Sequence, residues 1–389
     1  MSSTQQSRHD GPSGHEEDDR PGPTPAPTDA RPGLLPAPAP VQLIDPSGAA
    51  CAETALSRPD HATLARLYRA MAVGRRLDAQ ITALTRQGRL AVYPSSRGQE
   101  ACQVGAALAL RGQDWLFPTY RDSVAVFTRG VDPHEVLVSF RGDWHCGYDP
   151  YEHRVAPQCT PLATNTLHAV GLAHAARLRG QDTVALVLLG DGATSEGDTH
   201  EALNFAAVWK APVVFLVQNN GYAISVPLAK QSAAPSLAHK GIGYGIPSHL
   251  VDGNDVAAVY AAVRQAVEHA AAGGGPVLIE ARTYRVEAHT NADDATRYRH
   301  DDEVAYWLER DPLRRLELFL EHQGHPLDLV QISAEAEEVA ASVRARSTGG
   351  VAPEPGALFE HVYADPPASL ARQRADLQDE LQRDEEATA

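Results

Sequence analysis

The chain has 389 residues, with 34 basic against 50 acidic side chains, a formal charge of −16. So acidic a balance excludes a nucleic-acid-binding protein, which needs a basic face, and argues equally against docking on an anionic membrane surface. The length alone suggests two or three domains, and 43% hydrophobic with 22% charged residues excludes wholesale disorder. The best apolar run, Val184 to Leu189, is far short of the roughly 18 residues of a membrane helix, and Met1 to Arg20 holds no apolar stretch of a secretory signal. Cys51, Cys102, Cys146 and Cys159 show no C-x-x-C spacing and read as free thiols, so a cytoplasmic protein is expected.

Residues 1–40 carry nine of the 28 prolines and no aromatic ring, and are expected as a disordered tail, a spacer or a partner-binding arm. From Asp60 the apolar residues Leu64, Leu67, Tyr68, Met71 and Leu77 recur at helical spacing. A second helix is expected over Gly98 to Leu110, followed by a loop at Asp114-Trp-Leu-Phe-Pro-Thr-Tyr-Arg. Asp132 and Pro133 read as the N-cap and first residue of another helix. Then strands and helices alternate. Val184–Leu189 is an uninterrupted apolar run, expected for a parallel strand buried on both faces; Val213–Val217 reads as a second buried strand and Val277-Leu-Ile-Glu-Ala281 as a third. Between them fall the helices Thr199–Lys210, preceded by a capping-box spacing at Ser195-Glu-Gly-Asp, and Ala257–Ala272. The fold class this predicts is α/β, a doubly wound, mostly parallel sheet with helices on both faces. A charged helix around Leu370–Arg383 runs into a charged C-terminal tail at 379–389.

In βαβ crossovers the loops after successive strands open on one sheet edge, where such folds place ligands. Here those loops are Gly190-Asp-Gly-Ala193, Gln218-Asn-Asn-Gly-Tyr222, and the segment Arg282-Thr-Tyr-Arg285 leading to His289. Either glycine turn alone is a tight turn. Together, at the ends of adjacent strands and ahead of a helix N-terminus, Asp191 and Asn220 supply hard oxygen ligands for Mg²⁺ holding a diphosphate. No G-x-G-x-x-G follows the first strand, which removes a nicotinamide or flavin fingerprint, and no P-loop is present.

Leu189-Gly-Asp-Gly-Ala-Thr-Ser-Glu-Gly-Asp through Gln218-Asn-Asn-Gly-Tyr-Ala-Ile-Ser-Val-Pro resembles the thiamine diphosphate motif of 2-oxo acid dehydrogenase complexes. More specifically, the chain from Val41 to Gln378 resembles the alpha subunit of their decarboxylating (E-one) component. Phe117-Pro-Thr-Tyr-Arg-Asp, Pro161-Leu-Ala-Thr, Val251-Asp-Gly-Asn-Asp and Leu278-Ile-Glu-Ala-Arg-Thr-Tyr-Arg share the likeness, with His289, Asp293-Asp294 and Arg297-Tyr-Arg. The resemblance implies one dehydrogenase alpha domain over 41–378 in place of two or three.

It also implies residue roles. Asp191, Asn220 and the Tyr222 carbonyl would bind Mg²⁺. Tyr120, Arg121 and the backbone N–H groups of Gly192 and Ala193 would bind the diphosphate, and Gln218 stands where many members carry an arginine. Thr160 and Leu162 would meet the aminopyrimidine ring. Thr164 marks a K⁺ position used by some members. His289, and His145 in departing surroundings, would be catalytic. Thr290 replaces a serine phosphorylated in animal members, so kinase control is not expected.

The cofactor would carry out decarboxylation of a 2-oxo acid, with the acyl group passing to the lipoyl domain of the acyltransferase component. The glutamate that thiamine enzymes need on the aminopyrimidine belongs, by resemblance, to a beta subunit, in an alpha2-beta2 heterotetramer. Pyruvate is expected slightly ahead of branched-chain 2-oxo acids as substrate. The rivals are an acetoin-type dehydrogenase and a non-catalytic assembly or regulatory paralogue.

Overall fold

The runs buried on both faces do become the centre of a parallel sheet. In a computed structural model describing residues 34–52, 54–142, 146–347, 354–360 and 362–388, five strands form the sheet. They are β1 (Trp115–Phe117), β2 (Ala185–Gly190), β3 (Val213–Asn219), β4 (Ser248–Asp252) and β5 (Val277–Arg282), in the spatial order β1-β2-β3-β5-β4 with every pair parallel. Because side chains alternate along a strand, each run feeds two cores at once. Leu186, Leu188, Val214 and Leu216 enter one core, while Val187, Leu189, Phe215 and Val217 enter the other.

The first core is closed by α1 (His61–Arg86), α2 (Glu100–Ala109) and the Ala-rich α5 (Val256–Ala271). The second is closed by α3 (Thr164–Leu178) and α4 (Gly197–Trp209), which pack on each other. A third apolar cluster joins α1, α2 and α5 to α6 (Pro312–His322). Next, α7 (Leu329–Arg346) lies along α1, and α8 (Ala368–Thr388) is exposed along its length and continues through the segment expected as a charged tail.

Asp132 caps the short helix Pro133–Val136, its side chain accepting from the His134 N–H, with Pro133 at the first helical position. Three expectations change. Trp115–Phe117 is a strand rather than a loop, because β2 offers it a parallel partner (Trp115↔Ala185 to Phe117↔Val187). A fifth strand, β4, lies at the other edge against β5. The capping box at Ser195 does not form. Gly192–Ser195 winds into a 3-10 turn, and Glu196 then flanks α4 with no side-chain cap. Of the expected tail, residues 1–33 lie outside the described residues. All four cysteines are free thiols, and no helix among the described residues is long and apolar enough to cross a membrane.

Candidate active site

Five parallel strands put five carboxyl ends on one edge, and the chemistry collects there. The turn after β1 brings Tyr120 and Arg121, the turn after β2 brings Asp191, Gly192 and Ala193, and the turn after β3 brings Gln218, Asn220 and Tyr222. The segment after β5 adds His289, and the loop before α3 adds Leu162. Together these residues line one cavity of about 200 Å³. Leu162, Tyr120 and His289 also line an adjoining, more apolar cavity of about 790 Å³ that includes Thr160, Val92, Phe140 and Ile224. Thr164 opens α3, its hydroxyl 3.5 Å from an Asp198 oxygen. His145 lies outside the described residues.

Asp191 is 1% exposed and its Oδ2 accepts from the Gln231 amide at 2.7 Å; burial raises its pKa above the usual carboxylate range. A buried carboxylate on so few donors suits a cation. Across the cavity the Asn220 amide donates to Gln99 Oε1 (2.9 Å), leaving Oδ1 with the Tyr222 N–H (3.2 Å). The first N–H groups of the 3-10 turn, at Gly192 and Ala193, have no preceding turn to bond, so the turn offers them to an anion. Gly192 is required there, because a Cβ would come within 2.8 Å of the Ala223 Cβ.

Positive charge faces those N–H groups. Arg121, 5% exposed, donates to the Ser95 carbonyl (3.0 Å) and, through Nη2, to the His289 carbonyl and Nδ1, both at 3.0 Å. A guanidinium only donates, so Nδ1 is the acceptor and the imidazole proton sits on Nε2. Burial, with Arg121 and Arg285 beside it, pulls the His289 pKa down to about 4, so the ring is neutral at pH 7. The Tyr120 ring meets it edge to face at 6.1 Å. Of the charged residues after His289, Asp294 and Arg297 are exposed, while Asp293 is tied into the site. Asp293 accepts from the His289 N–H (2.7 Å) and from the Tyr298 hydroxyl, and Tyr298 in turn accepts from Arg285 (2.8 Å).

Gln218 lines the cavity with its amide bonded into the wall. Its Nε2 donates to Asp122 (2.6 Å), its Oε1 accepts from Gln99 (3.2 Å), and it is 2% exposed. Sequence reasoning missed Gln99, Gln231 and Ile224. The two amides gain meaning only from partners 121 and 40 residues away. Ile224 holds a left-handed backbone (φ 56°), rare for a β-branched residue, and its carbonyl accepts from Arg285 at 2.6 Å.

The comparisons agree with this geometry. The family model described as "Dehydrogenase E1 component" matches residues 68–347. The 3-methyl-2-oxobutanoate dehydrogenase subunit alpha of Mycobacterium tuberculosis is 49% identical over 348 residues, covering 88% of this chain and 95% of that protein. The pyruvate dehydrogenase E1 component subunit alpha of Staphylococcus aureus is 40% identical over 339 residues, covering 86% and 91%. This chain therefore belongs to the dehydrogenase E1 component family, as an alpha subunit of the 2-oxo acid dehydrogenase type.

Proposed function

We propose that the chain decarboxylates branched-chain 2-oxo acids, with pyruvate the competing substrate, and works only when joined to a beta subunit. The observation that carries the substrate preference is the apolar cavity of about 790 Å³ beside His289, walled by Val92, Phe140, Leu162 and Ile224. Its apolar wall suits an aliphatic side chain next to the proposed cofactor. The 49% identical relative is named for 3-methyl-2-oxobutanoate, against 40% for the pyruvate-type relative. His145 lies outside the described residues and bears on neither substrate.

The residues fit thiamine diphosphate with Mg²⁺. Asp191, Asn220 and the Tyr222 carbonyl would hold the metal; Tyr120, Arg121 and the Gly192 and Ala193 N–H groups would hold the diphosphate. When bound, the cofactor supplies a nucleophilic thiazolium carbon and an electron sink for decarboxylation. His289 lines the cavity with its proton on Nε2 and would donate a hydrogen bond there, fixed by Arg121 on Nδ1 and by Asp293 on its backbone N–H. Leu162 and Ile224, exposed in this chain alone, would exclude water from the reacting side once cofactor and beta subunit cover them. The K⁺ expectation rests on the Thr164 hydroxyl and Asp198. Transfer of the acyl group to a lipoyl domain, and an alpha2-beta2 assembly, complete the proposal.

The test mixes purified alpha and beta chains with thiamine diphosphate and Mg²⁺, then compares 3-methyl-2-oxobutanoate with pyruvate by CO₂ release. The expected result is a higher kcat/KM for the branched acid by about 10-fold or more, the value of one or two methylenes in a pocket. Alpha alone is expected to be inactive. A pyruvate preference would reverse the substrate assignment, and full activity of alpha alone would remove the shared-site argument.

A further inference from the structure

Arg285 follows β5 and lines the diphosphate cavity, yet no role has been given to its charge. The side chain is 1% exposed. Nη2 is used up by the Ile224 carbonyl and the Tyr298 hydroxyl. Nη1 lies 3.4 Å from His289 Nδ1, an atom already served by Arg121, and Nε is buried without a hydrogen-bond partner. Among the described residues no carboxylate forms an ion pair with either Arg121 or Arg285. Asp293, the acid whose charge Arg285 feels, is committed to His289 N–H and Tyr298.

Two buried guanidinium groups thus converge on one neutral imidazole with no direct ion pair among the described residues, and only the nearby charges of Asp122, Asp191 and Asp293 act on them. Burying like charges together is costly unless an anion is meant to lie between them. The N–H groups of Gly192 and Ala193 face the same cavity. Gln218 offers no help, since both ends of its amide are bonded into the wall.

We infer that Arg285 is the second guanidinium of the diphosphate site, paired with Arg121 across the bound anion and drawing on its idle Nε and Nη1. This rests on the thiamine diphosphate reading above. The same guanidinium also holds the strained Ile224 turn, so it couples anion binding to the shape of the apolar cavity wall.

The test is calorimetric titration of the alpha–beta complex in Mg²⁺ with thiamine diphosphate and, separately, with unphosphorylated thiamine. Wild type must prefer thiamine diphosphate strongly; if it does not bind it, the cofactor reading fails before Arg285 is in question. Arg285→Gln is expected to raise Kd for thiamine diphosphate about 10- to 100-fold, the scale of a lost charged hydrogen bond, and to leave thiamine within about twofold. A loss shared equally by both ligands, or by neither, overturns the inference and leaves Arg285 a support for Ile224. Should Arg285→Gln not assemble, Arg285→Lys decides. A point charge replaces the fork, so the diphosphate-over-thiamine preference should fall about threefold to 10-fold, and an unchanged preference overturns the inference.

Discussion

Asp191 and Asp255 are equally buried, each 1% exposed, and each follows the carboxyl end of a strand of the same sheet, β2 for one and β4 for the other. Their surroundings differ in the supply of donors. Asp255 is saturated by backbone. Its Oδ2 accepts from Leu43 and Ile44 N–H (2.7 and 2.8 Å) and its Oδ1 from Ala257 and Ala258 N–H (3.0 and 3.2 Å). It caps α5 and ties the segment before α1 to the sheet. Asp191 has one side-chain donor, Gln231, and points at a cavity. The difference teaches how to separate a structural acid from a functional one on the same sheet edge: the structural acid is spent on four backbone N–H groups of other elements, and the functional one lines a cavity.

The largest effect that would break or sharpen this contrast lies on Asp255. Replacing it with Ala strands four buried N–H groups, and the complex should lose roughly 3 kcal/mol or more of stability, with thiamine diphosphate affinity unchanged in the fraction that remains folded. Urea unfolding and calorimetry on Asp255→Ala read both quantities. A cofactor defect with normal stability would invert the roles assigned here.

Asp191→Asn should behave oppositely. Losing the proposed metal's carboxylate is expected to weaken Mg²⁺-dependent cofactor binding by several kcal/mol, whereas the apo complex should melt no lower than wild type. The sign follows from burial, which raises the Asp191 pKa, so ionising it opposes folding. That penalty is present above the unfolded carboxylate range, near pH 4, and vanishes in more acid solution. Thermal melts of the two apo complexes at pH 7.5, beside calorimetry with cofactor, check both halves. An unchanged cofactor affinity sinks the Mg²⁺ assignment.

The contrast was half legible in the amino-acid sequence. β2 and β3 announce themselves because strands buried on both faces read as unbroken apolar runs, β5 follows the Ala-rich helix and glycine turn despite its Glu280, and the loops after them place Asp191, Asn220 and His289 on one edge without further information. Edge strand β1 was hidden because three residues carry no period. It exists through its pairing with β2 and a bridge from Leu116 to Val155. The donors that sort Asp191 from Asp255 were equally hidden. Leu43 and Ile44 reach Asp255 from more than 200 positions away, and Gln231 reaches Asp191 from 40. Gln218 shows the limit from the other side. The resemblance places it where many members carry an arginine, and its bonds to Asp122 and Gln99 come from elements that the local sequence does not bring together.

The smallest expected effect concerns His289, whose proton affinity differs between the folded and the unfolded chain. Its pKa is lowered to about 4 by burial and by Arg121 and Arg285, against about 6.5 in an unfolded chain. Between those values the unfolded chain binds the proton and the folded one does not, so stability falls as pH drops through that window. At pH 4.5 the loss should be about 1–2 kcal/mol after solvent screening of a partly exposed ring. His289→Asn should flatten that part of the pH profile, read as the difference in urea midpoint between pH 7 and pH 4.5. Adding thiamine diphosphate with Mg²⁺ should narrow the wild-type difference too, because an anion between Arg121 and Arg285 offsets the field that keeps the ring neutral. If the cofactor leaves the wild-type slope unchanged while still binding, the two guanidinium groups are not facing its diphosphate.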